Sequence, residues 1–265
     1  MFWFAVVAVL LATLYKILRF LYFKWRGKKF VQIGIQKRKE RDLLIEKFSL
    51  PQINIPNERK EEIIKSDVCE LREMLLQGKV TSEQLTIIFI GRALEKGKDL
   101  NLLSEINFEE AIKTAKEYDI KFLQKNKDIE KPLFGIPMTI KDVFDIKGLD
   151  STIGMGCNCN KPKKEDGYLV KLLKEKGAII FAKTNVPQAS MSMETYNTIW
   201  GRGLNPWNKD RSVGGSSGGE AAMVRIGATP IGIGSDVGGS IRTPSSFCGV
   251  LGFMPTAKRV TTNGH

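Results

Sequence analysis

The stretch from Gly214 to Pro244 reads GGSSGGEAAMVRIGATPIGIGSDVGGSIRTP. It places two serine-bearing glycine clusters, GGSSGG and DVGGS, around a helix-like run (GEAAMVRIGA) and a strand-like one (TPIGIG). Loop, helix, strand and loop in that order belong to an α/β layer fold. A flexible Gly/Ser linker is set aside because its flanks are patterned rather than polar. A phosphate cradle is set aside too, since GGSSGGEAA lacks the P-loop lysine and the dinucleotide fingerprint G-x-G-x-x-G is absent there. What remains is the chemistry of a serine nucleophile, whose hydroxyl is weak until a base takes its proton. Histidine is the usual base, but the chain's one histidine is its last residue, His265. Lysine can replace it where burial or a nearby cation disfavours the ammonium form. Lys141 ends the apolar run LFGIPMTI and is carried on a strand into the interior, which sets it apart from the solvated lysines.

Working outward, the chain from Lys131 alternates short apolar runs with helical patterns: LFGIPMTI and AIIFAKTNV read as strands, DGYLVKLLKEKG as a helix between them. This predicts a largely buried sheet. Residues 57–127 read as mainly helical. Asn57 is the expected cap of one helix over ERKEEIIKSDVCELREMLLQGK, ending near Gly78; Thr81 or Ser82 starts a second over EQLTIIFIGRALEKG, and SEINFEEAIKTAKEYDIKFLQK gives a third. Pro51 and Pro56 end the basic helical connector that precedes them. The expected segments are an anchor with a basic flank (1–29), the connector (30–56), a helical part (57–130) and a catalytic α/β part (131–265).

Phe2 to Phe23 is almost wholly apolar and reaches the roughly 20 residues that a membrane-spanning helix needs. No Lys or Arg precedes it, and no small-x-small cleavage site follows it before the basic cluster, so a retained single-pass anchor is expected rather than a cleaved signal peptide. Lys24, Arg26, Lys28 and Lys29 on its C-terminal flank would leave the bulk of the protein in the cytosol. The net charge is +12, and Lys16 to Lys47 carries eleven Lys or Arg against three acids. Two thirds of the excess therefore lies beside the apolar run, which points to membrane lipid and not to nucleic acid. Cys69, Cys157, Cys159 and Cys248 read as reduced thiols, the C-x-C pair having no partners at metal-ligand spacing.

GIPMTIKD, GGSSGGEAA and GSDVGGSIRTPSSFCG together resemble the amidase signature family of serine hydrolases. DSTIGMG, AKTNVPQ, NPWNKDRSVGGSSGGE and FCGVLGFMPT, with the apolar N-terminus, are similar to its membrane-bound members that act on fatty acid amides. The resemblance runs from about Asp67 to Thr256. It implies a mixed, largely buried sheet with helices on both faces, the amidase signature fold, incomplete at the C-terminus. Carried over by position, it makes Ser240 the nucleophile, Ser216 the proton relay in a cis peptide, and Lys141 the base, with the neighbouring Ser217 as the rival relay. It also implies an oxyanion hole of the Val237, Gly238, Gly239 and Ser240 amides, and a substrate lining from Ala189, Ser190 and Met191 after NVPQ.

Two departures stand out: Arg225 where the family has a small residue, which bears on how its helix packs, and Met254 where it has lysine. A third is length, because family members continue beyond VTTNGH; the chain is expected to be an N-terminal half and inactive, or nearly so, by itself. The expected activity is hydrolysis of long-chain fatty acid amides through an acyl-enzyme, without metal or organic cofactor, and a homodimer is left open. The alternatives are a general or glutamine amidase and a catalytically silent membrane-tethered fragment.

Overall fold

In the computed structural model, which describes residues 2–261 and 263–264, the apolar run and the basic connector form one helix, α1 (Phe2–Lys47). At about 1.5 Å per residue it extends about 70 Å. Its first half is exposed from Val7 to Trp25, and this helix is long and apolar enough to cross a membrane. Its second half is docked. Ile33 packs with Cys159, Ile199 and Trp200, and a Cβ on Gly34 would stand 3.1 Å from the Ile199 side chain. Lys37 pairs with Glu105 and Asp150 at 2.9 Å each, while Arg41 donates to the Leu103 carbonyl and lies 5.1 Å over the Trp200 ring. The exposed apolar half is thus continuous with a half held by ion pairs to the body.

Pro51 and Pro56 sit in the coil that follows. The single helix expected from Asn57 is two, α2 (Asn57–Lys65) and α3 (Val68–Leu76), and Asn57 lies inside the first with Pro56 before it. The break falls at Ser66–Asp67 because Asp67 accepts from the Glu70 amide while the Glu70 carboxylate accepts from the Asp67 amide, both at 2.9 Å. That reciprocal cap satisfies two otherwise orphaned donors and begins a new helix. Gly78, at φ +65, ends α3, with Gly78 and Lys79 donating back to Leu75 and Met74. Thr81 and Gln84 make the same reciprocal cap for α4 (Ser82–Arg92), which runs into a π-helical turn over Ala93–Gly97. The third expected helix begins late: Leu103–Ile106 is a strand, β1, and α5 covers Phe108–Leu123.

β2 (Pro137–Lys141), α6 (Tyr168–Glu175) and β3 (Ile179–Thr184) follow, then a short antiparallel ribbon of β4 (Tyr196–Asn197) and β5 (Gly201–Arg202). The remaining elements are α7 (Gly218–Arg225), β6 (Gly232–Ile233) and α8 (Arg242–Cys248). The main sheet has the order β1-β3-β2-β6, with β1 antiparallel and the other neighbours parallel. It is covered on both faces, as parallel strands require. Ile179 and Phe181 join Leu85, Phe89, Phe108 and Ala111 from α4 and α5. Met138, Ile140 and Ile180 pack with Val170 of α6 on the other face. Burial of each such large side chain contributes about 1.5–3 kcal/mol.

The register of β2 on β3 passes from Met138↔Ile180 to Thr139↔Ala182, so Phe181 is an extra residue. A one-residue bulge flips the alternation beyond it. Thr184 therefore comes to the face of Thr139 and Lys141, and Lys183 goes to the opposite face. There Lys183 pairs with Asp142 at 2.7 Å, both fully buried, and donates to the Asp150 carbonyl and the Ser151 hydroxyl. These added bonds offset the desolvation that a buried pair incurs.

Candidate active site

Lys141 is the last residue of β2 and is wholly buried. Its Nζ stands 2.6 Å from Ser216 Oγ, 2.9 Å from Ser235 Oγ and 3.4 Å from the Ser235 carbonyl oxygen. Burial pushes its pKa down to about 7, against the opposing charges of Asp236 and Glu220. A neutral amine has two N–H donors and one lone pair. With Ser235 accepting both N–H groups, the lone pair is left for the Ser216 proton. Ser235 was not singled out by the sequence reading.

Ser216 is buried and follows a cis peptide from Gly215. The glycines before it are needed for close approach: a Cβ on Gly214 would stand 2.6 Å from Pro244 Cα, and one on Gly215 2.6 Å from the Ser192 carbonyl. Ser217 faces elsewhere. Its hydroxyl donates to the Ser235 carbonyl at 3.2 Å and accepts from the Ser235 amide at 3.3 Å, and its amide donates to the Ser240 carbonyl at 3.0 Å. The geometry thus joins Lys141 to Ser216 and makes Ser217 a brace between the two serine loops. Ser240 is held through that backbone bond, and its hydroxyl makes no hydrogen bond among the described residues.

The loop from Val237 to Ser240 curls around Asp236. The Asp236 carboxylate accepts from the amides of Gly239 (2.6 Å), Ile241 (3.0 Å) and Arg242 (3.2 Å), and from the Arg242 guanidinium at 3.0 and 3.1 Å. The Arg242 guanidinium and these amides hold that carboxyl far below the usual carboxylate range. Gly239, at φ +111, gives its N–H to Asp236. The amides of Val237, Gly238 and Ser240 have no acceptor among the described residues. Val237 is 95% exposed, and a Cβ on Gly238 would meet nothing within 4 Å, so the outer side of the loop is open.

Of the other expected lining residues, Ala189 and Ser190 form a tight turn at φ 55 and 53. Ser190 Oγ is buried and without a hydrogen-bond partner among the described residues, whereas Met191 is exposed. Met193, which the sequence reading passed over, reaches the loop that carries Ser240: its Cε would be 3.6 Å from a Cβ on Gly239. Arg225 is accounted for. It is exposed at the last residue of α7 and stacks 3.6 Å from the Trp207 ring centroid, so the helix packs without burying it.

A two-cluster serine site with a buried lysine on a mixed α/β fold defines a class of amide-cleaving proteins, and a family profile described as amidase matches residues 84–265. The chain belongs to the amidase family. It is 40% identical over 238 residues to Amidase 2 of Gibberella moniliformis, covering 89% of this chain and 46% of that protein. It is 46% identical over 132 residues to Fatty-acid amide hydrolase 1 of Sus scrofa, covering 50% of this chain and 23% of that protein. A solved structure of fatty acid amide hydrolase superposes with a TM-score of 0.76 at 26% identity, over 89% of this chain and 44% of that one. The likeness to fatty acid amide hydrolase is therefore one among several, and general amidases match over more of the sequence. The chain spans about half the length, or less, of the curated relatives it matches.

Proposed function

We propose that this chain carries the catalytic core of a membrane-anchored serine amidase that hydrolyses fatty acid amides. The observation that carries the amidase chemistry is the 2.6 Å contact between Ser216 Oγ and a wholly buried lysine pushed down to about 7. Neutral Lys141 takes the Ser216 proton as Ser216 takes that of Ser240, and Ser240 Oγ attacks the amide carbonyl. The oxyanion is met by the amides of Val237, Gly238 and Ser240, where one donor is worth about 10²–10³ in rate. Collapse breaks the C–N bond, and the proton returns through Ser216 to the leaving amine. Water then enters by the same proton route, cleaves the acyl-Ser240 ester and releases the acid.

The substrate class rests on α1 and on the likeness to fatty acid amide hydrolase. Labelling with a serine-directed fluorophosphonate should be blocked by a long-chain primary amide at concentrations at least tenfold below those of acetamide or glutamine. Equal protection by the short amides would make this a general amidase.

The anchor is testable separately. Carbonate washing should leave the chain in the membrane pellet, and deleting residues 1–29 should move most of it to the supernatant. The exposed apolar half of α1 is then gone, while the docked half keeps its ion pairs to Glu105 and Asp150. A mature N-terminus beyond residue 20 would show a cleaved signal in place of an anchor.

A further inference from the structure

Lys141 ends β2, and the end of that strand is held on both faces. On the Ser216 side the buried Glu220 carboxyl of α7 accepts from Thr139 Oγ1 at 2.9 Å and from Thr184 Oγ1 at 2.6 Å. On the other side stands the next residue, Asp142, which is wholly buried. Its carboxylate pairs with Lys183 at 2.7 Å and accepts from Thr152 Oγ1. Its amide donates to the Thr184 carbonyl at 3.2 Å, and its carbonyl accepts from the Ile153 amide at 3.3 Å. Side chain and backbone thus tie Asp142 to the segment 150–154.

That segment lies between the site and α1. Besides Asp142, the Lys183 ammonium meets the Asp150 carbonyl at 2.7 Å and the Ser151 hydroxyl at 3.0 Å, so its three donors are all placed. The Asp150 carboxylate accepts from the Asn160 and Lys161 amides at 2.6 and 2.7 Å and pairs with Lys37 of α1 at 2.9 Å. The Thr152 hydroxyl gives its proton to Asp142 and accepts from Trp200 Nε1 at 3.1 Å, and Arg41 of α1 lies over the Trp200 ring. Lys37 and Arg41 are four residues apart and share one face of the helix. Two paths start on that face and meet at Asp142: Lys37–Asp150–Lys183 and Arg41–Trp200–Thr152. The same segment holds the Ala189 turn, whose amide donates to the Ile153 carbonyl at 2.8 Å.

We propose that the docked half of α1 is part of the catalytic frame: Lys37 and Arg41 are positioning residues that hold Asp142, and through it the end of β2, so that Lys141 meets Ser216. This rests on the amidase reading of the same site and adds to it two residues outside that site. The helix that carries the anchor then also sets the base. The groups along the paths cannot relax singly, because Asp142, Lys183, Asp150 and Thr152 are all buried. Removing the Lys37 charge takes from the Asp150 carboxylate its partner on α1. A buried unpaired charge is strongly destabilising, so the segment 150–154 has to shift to let water reach it, and Lys183 carries that shift to Asp142. What it disturbs is the 2.6 Å contact between Lys141 Nζ and Ser216 Oγ. A misplacement on the order of 1 Å at reacting groups can cost about 10²-fold in rate.

The test separates how fast Ser240 reacts from how much of it can react. The full-length protein in detergent micelles is treated with a fluorophosphonate, and intact mass gives both the rate constant and the final extent of labelling. Lys37→Met and Thr152→Val should each lower the rate constant about tenfold and leave the final extent at that of the unaltered protein. Thr152→Ser keeps the hydroxyl and should recover the rate constant to within about twofold. The extent counts folded sites, whereas the rate constant reports the placement of the base, so a role in the fold alone would lower the first and spare the second. A reduced extent at an unchanged rate constant overturns the proposal, and so does a Thr152→Ser variant as slow as Thr152→Val. If Lys37→Met does not fold, Thr152→Val and Thr152→Ser decide it. Equal rate constants in all variants overturn this proposal alone, whereas an unaltered protein whose Ser240 takes no label overturns the amidase reading and this proposal with it.

Discussion

Replacing Ser240 by alanine should abolish the covalent adduct and reduce amide hydrolysis in the full-length protein by about 10⁴-fold or more. The loop that carries this serine is built without its hydroxyl. Asp236 holds it through the Gly239, Ile241 and Arg242 amides, and Ser217 holds it through the Ser240 carbonyl. Alanine leaves all of those bonds in place, so the loss should come with little change in thermal stability. Ser216→Ala should slow acylation by about 10²–10⁴-fold, the usual worth of a proton-transfer group, again without unfolding, because its hydroxyl is aimed at Lys141. Ser217→Ala should behave differently. It removes two bonds to Ser235, each worth about 0.5–1.5 kcal/mol, and should lower the melting temperature while sparing more of the rate. Intact-mass detection after a fluorophosphonate or a slow acyl donor reads all three variants. An adduct that persists in Ser240→Ala would assign the nucleophile elsewhere.

Much of this arrangement is visible in the residues alone, for identifiable reasons. The two glycine clusters announce close backbone approach, and Gly214 and Gly215 meet Pro244 and Ser192 where a side chain would collide. Lys141 at the end of an apolar run is a buried lysine, because a five-residue strand in the middle of a sheet has nowhere else to put it. What escaped the reading depends on distant partners. Leu103–Ile106 sits in a run with helical patterning and becomes a strand only because Thr184 and Ala182 of β3 lie opposite it. The Phe181 bulge has no local signature, yet it decides that Thr184 shares a face with Lys141 while Lys183 does not. Ser235 is an ordinary serine until the chain folds it against Lys141. Two signals were present and passed over: the D-x-x-E of Asp67 and Glu70, which is a helix start, and a lone acid, Glu220, at the head of an apolar helix between two glycine clusters. An acid in that position has to be buried, and a buried acid needs partners.

Lys141→Met should remove activity and stabilise the protein in the same step. The rate loss should be about 10⁴-fold or more, since the base is the only proton acceptor that Ser216 contacts among the described residues. The stability gain follows from linkage. An unfolded lysine holds its proton up to about 10.5, whereas burial has lowered the folded value to about 7. Below pH 7 the folded protein carries the full cost of a desolvated ammonium; between pH 7 and 10.5 the unfolded chain binds the extra proton and that cost shrinks as pH rises. A shift of about 3.5 in pKa corresponds to a few kcal/mol, on the order of 5 at its limit. Methionine is apolar and of similar length, so it removes this cost but leaves Ser216 and Ser235 without their partner, a loss of about 1–3 kcal/mol. The net expectation is a rise in unfolding free energy of about 2 kcal/mol at pH 7, falling toward zero and reversing as pH approaches 10. Denaturant unfolding of the two proteins at pH 6, 7, 8 and 9 measures it. A difference that does not vary with pH would mean that the folded lysine keeps an ordinary proton affinity, and a lysine that remains ammonium at pH 7 cannot accept the Ser216 proton.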